Sequence, residues 1–130
     1  MKKIKVLIVD DEKQLAELMR FNFPAEHYET CACYTGKDAL RLAREDKPDI
    51  MILDVTMGDM SGWEVLTLLK ADSQTAAIPV IMCTGRAGPE DIERSFKRGA
   101  QSYIMKPIDF PNLLQKVSSL LDLEQPLKRT

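Results

Sequence analysis

The sequence has only one histidine and three cysteines among its 130 residues. This scarcity argues against a zinc site, because Cys31-Ala-Cys33 has no second cysteine pair to complete a ligand set. An odd number of cysteines in short apolar stretches also argues against a disulfide framework and predicts buried, reduced thiols. We therefore expect a cytoplasmic protein.

Long hydrophobic runs and an excess of positive charge are also missing. The first apolar stretch, residues 4–9, is too short for a signal peptide or a membrane span, so we expect no membrane role. The net charge of -2 offers no broad attraction for nucleic acid, and we expect no direct nucleic acid binding by this chain. Arg94, Lys97 and Arg98 form a local basic cluster that is typical of a solvated helix face.

The length and the ordinary composition predict one globular domain with one core. We place this domain at residues 1–124 and interpret residues 125–130 as a short tail or a severed linker.

Five short apolar runs alternate with five helical patterns, and this alternation predicts a parallel sheet with helices on both faces. Three of the runs are continuously apolar, as strands buried on both faces must be, and these are predicted to be central. The second and fifth runs contain polar residues and are predicted to lie nearer the edges. The runs are Ile4–Val9, Tyr28–Cys33, Ile50–Leu53, Pro79–Cys83 and Gln101–Met105.

Local signals mark the ends of several helices. Pro24 stops the first helix, and Thr35 and Ser61 stand in capping arrangements before the second and third. Gly99 ends the fourth helix, and the fifth is predicted over Phe110–Leu123.

Five polar residues follow or end the predicted strands: Asp10, Asp11, Asp54, Thr84 and Lys106. Ligands of open parallel sheets bind outside the carboxyl ends of the strands, so these side chains are expected to converge. Three neighbouring carboxylates repel one another and need a cation, and oxygen ligands without histidine or cysteine favour Mg²⁺. A phosphoryl group would fit between the cation, the lysine and the threonine hydroxyl.

Each residue alone has a plainer interpretation. Asp11 could cap the first helix, and Asp54 could be an ordinary loop acid. The joint occurrence of all five at strand ends favours the functional interpretation.

The ordered set of motifs resembles the CheY-like receiver domains of two-component response regulators. Val9-Asp10-Asp11-Glu12 resembles the acidic pair of that family, and Leu53-Asp54-Val55 resembles its phosphoacceptor segment. Met82-Cys83-Thr84-Gly85 resembles the switch hydroxyl, Tyr103-Ile104-Met105-Lys106-Pro107 the aromatic and lysine elements, and Met60-Ser61-Gly62 the start of the third helix. The resemblance covers residues 4 to about 122 and implies a doubly wound, flavodoxin-like α/β fold with strand order 2-1-3-4-5.

The resemblance implies a role for each site residue. Asp54 would accept the phosphoryl group, while Asp11, Asp54 and the main-chain carbonyl of Thr56 would bind Mg²⁺ directly and Asp10 would act through a water molecule. Lys106 would contact the phosphoryl group, and Lys106-Pro107 would be a cis peptide.

The resemblance also implies a switch and its partners. Thr84 and Tyr103 would change the face formed by the fourth helix, fifth strand and fifth helix, and Thr56 and Arg86 would flank the phosphoryl group. The donor would be a sensor histidine kinase, a phosphotransfer protein or a small phosphodonor such as acetyl phosphate. The target would be a downstream protein, with a phosphorylation-dependent homodimer as a further option. The chain would be no enzyme beyond catalysing its own phosphorylation and dephosphorylation.

Gly58 departs from the family pattern, which commonly has proline at this position, and predicts a more flexible loop. A haloacid-dehalogenase-like phosphatase would need a second acid where Thr56 stands. A flavodoxin-like cofactor protein would place FMN phosphate against Asp10, Asp11 and Glu12, which would repel it. The chain could act alone or as the receiver of a longer regulator.

Overall fold

A computed structural model describes residues 2–85 and 88–121, which form a five-stranded parallel sheet and five helices. The strand order is β2-β1-β3-β4-β5, so the predicted doubly wound fold is confirmed. The elements in chain order are β1 (Ile4–Val9), α1 (Lys13–Asn22), β2 (Tyr28–Cys33), α2 (Gly36–Asp46), β3 (Ile50–Asp54), α3 (Gly62–Ala71), β4 (Val80–Thr84), α4 (Pro89–Lys97), β5 (Ser102–Met105) and α5 (Phe110–Leu120).

The three continuously apolar strands occupy the centre of the sheet, as predicted. Every residue of β3 and β4 is buried, whereas the edge strands β2 and β5 alternate between buried and more exposed positions. Central strands of a parallel sheet are covered by helices on both faces, which explains their unbroken hydrophobicity.

Side chains that alternate along the central strands enter two separate cores. Leu7 and Val9 of β1 belong to the core under α2 and α3, while Val6 and Ile8 belong to the core under α1 and α5. The period of two along a strand thus distributes one apolar run between both faces of the sheet.

The predicted helix signals are confirmed at three points. The Thr35 hydroxyl accepts a hydrogen bond from the Asp38 main-chain N–H at 3.1 Å, and Ser61 accepts one from Glu64 at 3.2 Å. Gly99 has a φ of 104°, the left-handed conformation that follows the end of α4.

Several predicted boundaries were wrong by one to three residues. β3 includes Asp54, β4 is shifted by one residue to end at Thr84, and β5 begins at Ser102. The ladder continues past the last apolar residue because Asp54 pairs with Cys83. α5 ends at Leu120 rather than Leu123, and residue 123 lies outside the described residues, as does the predicted tail 125–130.

The prediction that all three cysteines are buried is also wrong. Cys33 and Cys83 are buried, but Cys31 is exposed because β2 is an edge strand.

No helix among residues 2–85 and 88–121 combines the length and the apolar character needed to cross a membrane.

Candidate functional site

Three carboxylates meet at the carboxyl edge of the two central strands β1 and β3. Asp10 follows β1 directly, Asp11 comes next, and Asp54 is the last residue of β3. One carboxylate oxygen from each of these residues lies within 4.8 Å of the others. Asp10 is 0% exposed and Asp54 is 4% exposed, whereas Asp11 faces solvent. The predicted acidic cluster therefore exists, with two of its members buried.

Asp10 is held by hydrogen bonds to neighbouring segments of the protein. Its main-chain N–H donates to the carbonyl of Cys33 at 3.2 Å, and its Oδ1 accepts from the N–H of Glu12 at 2.9 Å. The alternative interpretation of Asp11 as a helix cap is wrong, because Glu12 occupies the N-cap position of α1 and no side chain caps it. Asp10 shapes the start of this helix instead, which leaves Asp11 free of a capping role.

Lys106 approaches the acids from the end of β5. Its Nζ lies 3.1 Å from Asp10 Oδ2, 3.4 Å from Asp54 Oδ1 and 3.5 Å from Glu12 Oε1. Burial on its own would lower the pKa of Lys106, but the carboxylates of Asp10 and Asp54 outweigh it and raise the pKa above its ordinary value. Lys106 is therefore positively charged at neutral pH. The predicted cis peptide bond between Lys106 and Pro107 is present.

The surroundings of the Asp54 carboxyl group disfavour its ionised form. Burial raises its pKa to about 6 and the charge of Asp10 adds to the rise, while Lys106 and the main-chain N–H of Thr56 oppose it. A buried acid beside a second acid is a common arrangement at functional sites.

Thr84 ends β4 and is linked to the lysine through the main chain. The N–H of Lys106 donates to the Thr84 carbonyl at 2.9 Å, and the Thr84 residue is 7% exposed. The structure thus brings Thr84 to the same sheet edge as Asp54 and Lys106, as the strand pattern predicts.

Tyr103 lies on β5, half-buried between the last two helices. Its ring meets the ring of Phe96 of α4 edge-on, with centroids 6.0 Å apart, and the Nζ of Lys116 of α5 lies 5.5 Å from its centroid. Tyr103 therefore contacts both helices of the predicted output face.

The loop that joins β3 to α3 starts at the site. Thr56 is exposed in this loop, two residues after Asp54. At the far end, the N–H of Gly62 donates to the Val55 carbonyl at 2.7 Å. A Cβ at Gly62 would collide with the carbonyl oxygen of Asp54, so the start of α3 touches the main chain of the site directly. Arg86, the other predicted flanking residue, lies outside the described residues.

Sequence reasoning missed Asp59 in the same loop. Its carboxylate accepts hydrogen bonds from the N–H groups of Gly36 at 2.9 Å and Lys37 at 3.1 Å, at the start of α2. These bonds lower the pKa of Asp59. The partners lie more than twenty residues earlier in the chain, so no local pattern could reveal the contact.

The site residues fit a hard divalent cation. Two unit charges about 4 Å apart interact by about 4 kcal/mol at an effective dielectric of about 20, and here three carboxylates share the space with one lysine. Asp10 Oδ2 is buried and, among the described residues, has the ion pair with Lys106 but no well-formed hydrogen bond. The donor atoms are all oxygens, which suits Mg²⁺ better than a transition metal.

Sequence comparison supports the family resemblance. The response regulator receiver domain family matches residues 6–118 of this chain. The polar-differentiation response regulators DivK of Brucella anthropi and Brucella ovis are each 39% identical over 116 residues, which cover 89% of this chain and 94% of theirs.

Solved structures give the same result. A CheY-like receiver domain protein from Methanospirillum hungatei superposes with a TM-score of 0.84 at 30% identity, covering 93% of this chain and 95% of that one. The chemotaxis response regulator CheY4 of Vibrio cholerae gives a TM-score of 0.85 at 28% identity, with coverage of 92% and 99%. With its fold, its acidic sheet edge and these matches, the chain belongs to the response regulator receiver domain family.

Proposed function

We propose that this chain is a Mg²⁺-dependent phosphorylation switch that accepts a phosphoryl group on Asp54. The observation that carries the proposal is the placement of Asp54 beside Asp10, Asp11 and Lys106 at the carboxyl edge of the sheet. Asp54 is the member that closes a central strand, and it is flanked by Thr84 at the end of the next strand.

The metal would be held by Asp11, Asp54 and the main-chain carbonyl of Thr56, with Asp10 acting through a water molecule. When bound, Mg²⁺ supplies positive charge that offsets the carboxylates and the incoming phosphoryl oxygens. The raised pKa of Asp54, whose first cause is burial and whose second is Asp10, supports a requirement for that charge.

The chain's own groups position the reaction. An oxygen of Asp54 attacks phosphorus as the bond from phosphorus to the donor nitrogen or oxygen breaks, and this displacement depends on alignment and charge. Lys106 provides a fixed cation for the phosphoryl oxygens, and the Thr84 hydroxyl provides a hydrogen-bond donor. Hydrolysis by water later restores the Asp54 carboxylate, so catalysis is confined to the protein's own modification.

The signal would leave through the α4-β5-α5 face. A phosphoryl group on Asp54 would draw the Thr84 hydroxyl toward it, and the Tyr103 ring would turn and remodel its contacts with Phe96 and Lys116. Shifting a two-state equilibrium from about 1:99 to 99:1 needs roughly 5.5 kcal/mol. One or two charge-assisted hydrogen bonds at about 1.5–3 kcal/mol each approach this value, so a partial active population should exist before phosphorylation.

Of the residues Ile92, Arg94, Ser95 and Arg98, which the sequence places on the partner surface beside Tyr103, Ser95 does not belong to it. Ser95 is buried and bonded to Asp91 and Trp63, so it does not contribute to the surface. Phe96, 46% exposed, offers an apolar contact beside Tyr103.

Partners and location are part of the same proposal. A sensor histidine kinase or phosphotransfer protein would supply the phosphoryl group, and a downstream protein would bind the α4-β5-α5 face. A phosphorylation-dependent homodimer, as an alternative partner, and a cytoplasmic location complete it.

Intact-mass spectrometry and peptide mapping test the proposal. Incubation with Mg²⁺ and acetyl phosphate should add one acid-labile phosphoryl group, on Asp54 alone. An Asp54→Asn protein that takes up the same group at the wild-type rate would disprove the assignment. Asp11→Ala should abolish Mg²⁺ binding more completely than Asp10→Ala, because Asp11 is proposed to bind the metal directly and Asp10 only through a water molecule.

The switch needs a separate experiment with beryllofluoride, a mimic of the phosphoryl group. NMR spectra of wild type and Thr84→Ala should show equal occupancy of Asp54 but smaller shifts of α4 and Tyr103 in the variant. Equal shifts in both proteins would show that Thr84 does not act on Tyr103.

A further inference from the structure

The β3–α3 loop, residues 55–61, has one conformationally free position next to the site. A Cβ at Gly58 would meet no atom of the described residues within 4 Å, so packing does not restrain this residue. Glycine also has the largest backbone freedom of any residue. The loop needs another restraint if Thr56, two residues earlier, is to hold a fixed position.

Asp59 supplies that restraint across the chain. Its two carboxylate oxygens accept separate hydrogen bonds, Oδ1 from the Gly36 N–H at 2.9 Å and Oδ2 from the Lys37 N–H at 3.1 Å. These are the first N–H groups of α2, which have no partner within the helix and favour a negative charge nearby. These hydrogen bonds connect the loop to the start of α2, a helix that packs on the sheet.

Packing of the next side chain supports the same contact. A Cβ at Gly36 would overlap the side chain of Met60, whose Sδ would lie only 2.7 Å away. Met60 therefore fits directly against the main chain of Gly36, and Met57 is buried in the same core. Asp59 thus stands between two methionines that face the α2 side of the sheet.

The ends of the loop are fixed independently. The Val55 N–H donates to the Cys83 carbonyl at 3.0 Å, and the Val55 carbonyl accepts from Gly62 at 2.7 Å. Thr56 and Gly58 therefore lie between two fixed points, Val55 at the start of the loop and Asp59 near its end.

We infer that Asp59 is a positioning residue for Mg²⁺ binding and phosphoryl transfer, because it clamps the β3–α3 loop to the start of α2. This inference rests on the proposed function, in which the main-chain carbonyl of Thr56 is a metal ligand. Asp59 touches neither the metal nor the phosphoryl group, and it acts through the position of that carbonyl.

The test compares Asp59→Ala with Thr35→Ala by calorimetric titration with Mg²⁺. The Thr35 hydroxyl accepts a hydrogen bond from the Asp38 N–H of the same helix at 3.1 Å, and no hydrogen bond found among the described residues joins its side chain to the loop. Its variant therefore removes a helix cap while keeping the Asp59 hydrogen bonds. Asp59→Ala should weaken Mg²⁺ binding about tenfold, the scale of residues that orient metal ligands. Thr35→Ala should retain the wild-type affinity. Asp59→Asn, which keeps one acceptor oxygen, should fall between wild type and alanine.

Amide hydrogen exchange without Mg²⁺ provides a readout independent of the metal. Exchange at Gly36 and Lys37 should accelerate in Asp59→Ala, whereas Thr35→Ala should accelerate exchange at Asp38. If Asp59→Ala does not fold, the Mg²⁺ titration and the hydrogen exchange are both measured on Asp59→Asn.

Two outcomes would overturn the inference while leaving the proposed function intact. One is wild-type Mg²⁺ affinity in Asp59→Ala despite faster exchange at Gly36 and Lys37. The other is an equal loss of affinity in Thr35→Ala, which would assign the effect to helix stability. A wild-type protein that binds no Mg²⁺ would overturn both the proposed function and this inference.

Discussion

Lys106 lies nearer to Asp10 than to Asp54, with Nζ to oxygen distances of 3.1 Å and 3.4 Å. The Lys106 charge is therefore shared between the two carboxylates and does not act on Asp54 alone. Since Asp10 is 0% exposed, its own charge requires much of the compensation that Lys106 provides. Asp54 is left with an incompletely balanced negative charge.

This imbalance predicts an unusual pH dependence of stability in the metal-free protein. The pKa of Asp54 is raised from 3.8 to about 6, so between about pH 4 and pH 6 this residue binds more protons in the folded protein than in the unfolded chain. The contribution of Asp54 to the free energy of unfolding should therefore fall as the pH rises through this window. Asp54→Asn should remove that fall and be more stable than wild type at pH 7 by about 2–3 kcal/mol.

Urea unfolding in EDTA at several pH values measures this effect. Asp46→Asn, which changes an exposed aspartate at the end of α2, is the control and should keep the wild-type pH slope. If the free energy of unfolding of Asp54→Asn keeps the wild-type pH slope, the raised pKa of Asp54 is contradicted.

Gly62 and Gly58 provide a matched pair of substitutions in and beside one loop. Gly62→Ala should destabilise the protein by about 1–3 kcal/mol, because the new Cβ meets the Asp54 carbonyl. Gly58→Ala, whose Cβ enters open space and whose φ is not in the left-handed region, should stabilise it by about 0.4–1 kcal/mol. Chemical denaturation distinguishes the two, and equal effects would show that the contact at position 62 is relaxed at little cost.

The basic cluster of α4 is more than a solvated face. The Arg94 guanidinium lies 3.8 Å from the centroid of the Trp63 ring, and Arg98 donates to the Thr67 hydroxyl at 3.2 Å. These contacts connect α4 to α3 on the flank of the predicted output face.

Arg94→Ala should destabilise the protein by about 0.5–1 kcal/mol and change the emission of Trp63, the only tryptophan. Lys97→Ala is the control, because Lys97 pairs only with the exposed Glu93 among the described contacts, at 3.0 Å. If both variants leave the emission spectrum unchanged, the stacking of Arg94 on Trp63 does not persist in solution.

The three cysteines should differ sharply in reactivity. Burial raises the pKa of Cys33 and of Cys83 to about 12, while Cys31 is exposed. A thiol reagent at pH 8 should modify one cysteine in the folded protein and three in urea, because the thiolate is the reactive form. Cys31→Ser should react at no site until it unfolds. Rapid reaction of a second thiol in the folded protein would indicate local opening of the sheet.

The fold was predictable because its strongest signals are local. Buried central strands must be apolar throughout, and this rule identified β1, β3 and β4 and therefore the sheet edge where the acids meet. Strand ends were less accurate, because hydrogen bonding to a neighbour, as between Asp54 and Cys83, decides where a strand stops.

Other features depend on contacts between distant segments. The bonds of Asp59 to the start of α2 and the stacking of Arg94 on Trp63 join separate elements, and neither residue type indicates its partner. Cys31 is exposed on the edge strand β2, whose edge position the sequence predicted, but the residue pattern did not indicate which of its side chains stay uncovered.

The open space around Gly58 also makes this loop accessible to chemical labelling. A Gly58→Cys substitution in a Cys31→Ser background would present one reactive thiol in the loop that contains Thr56, since the two remaining native cysteines are buried. A small environment-sensitive dye attached there would lie on the loop without displacing a packed side chain. Its emission would follow loop motion in real time, during titration with metal or phosphodonor, while the aspartates and Lys106 retain their native sequence.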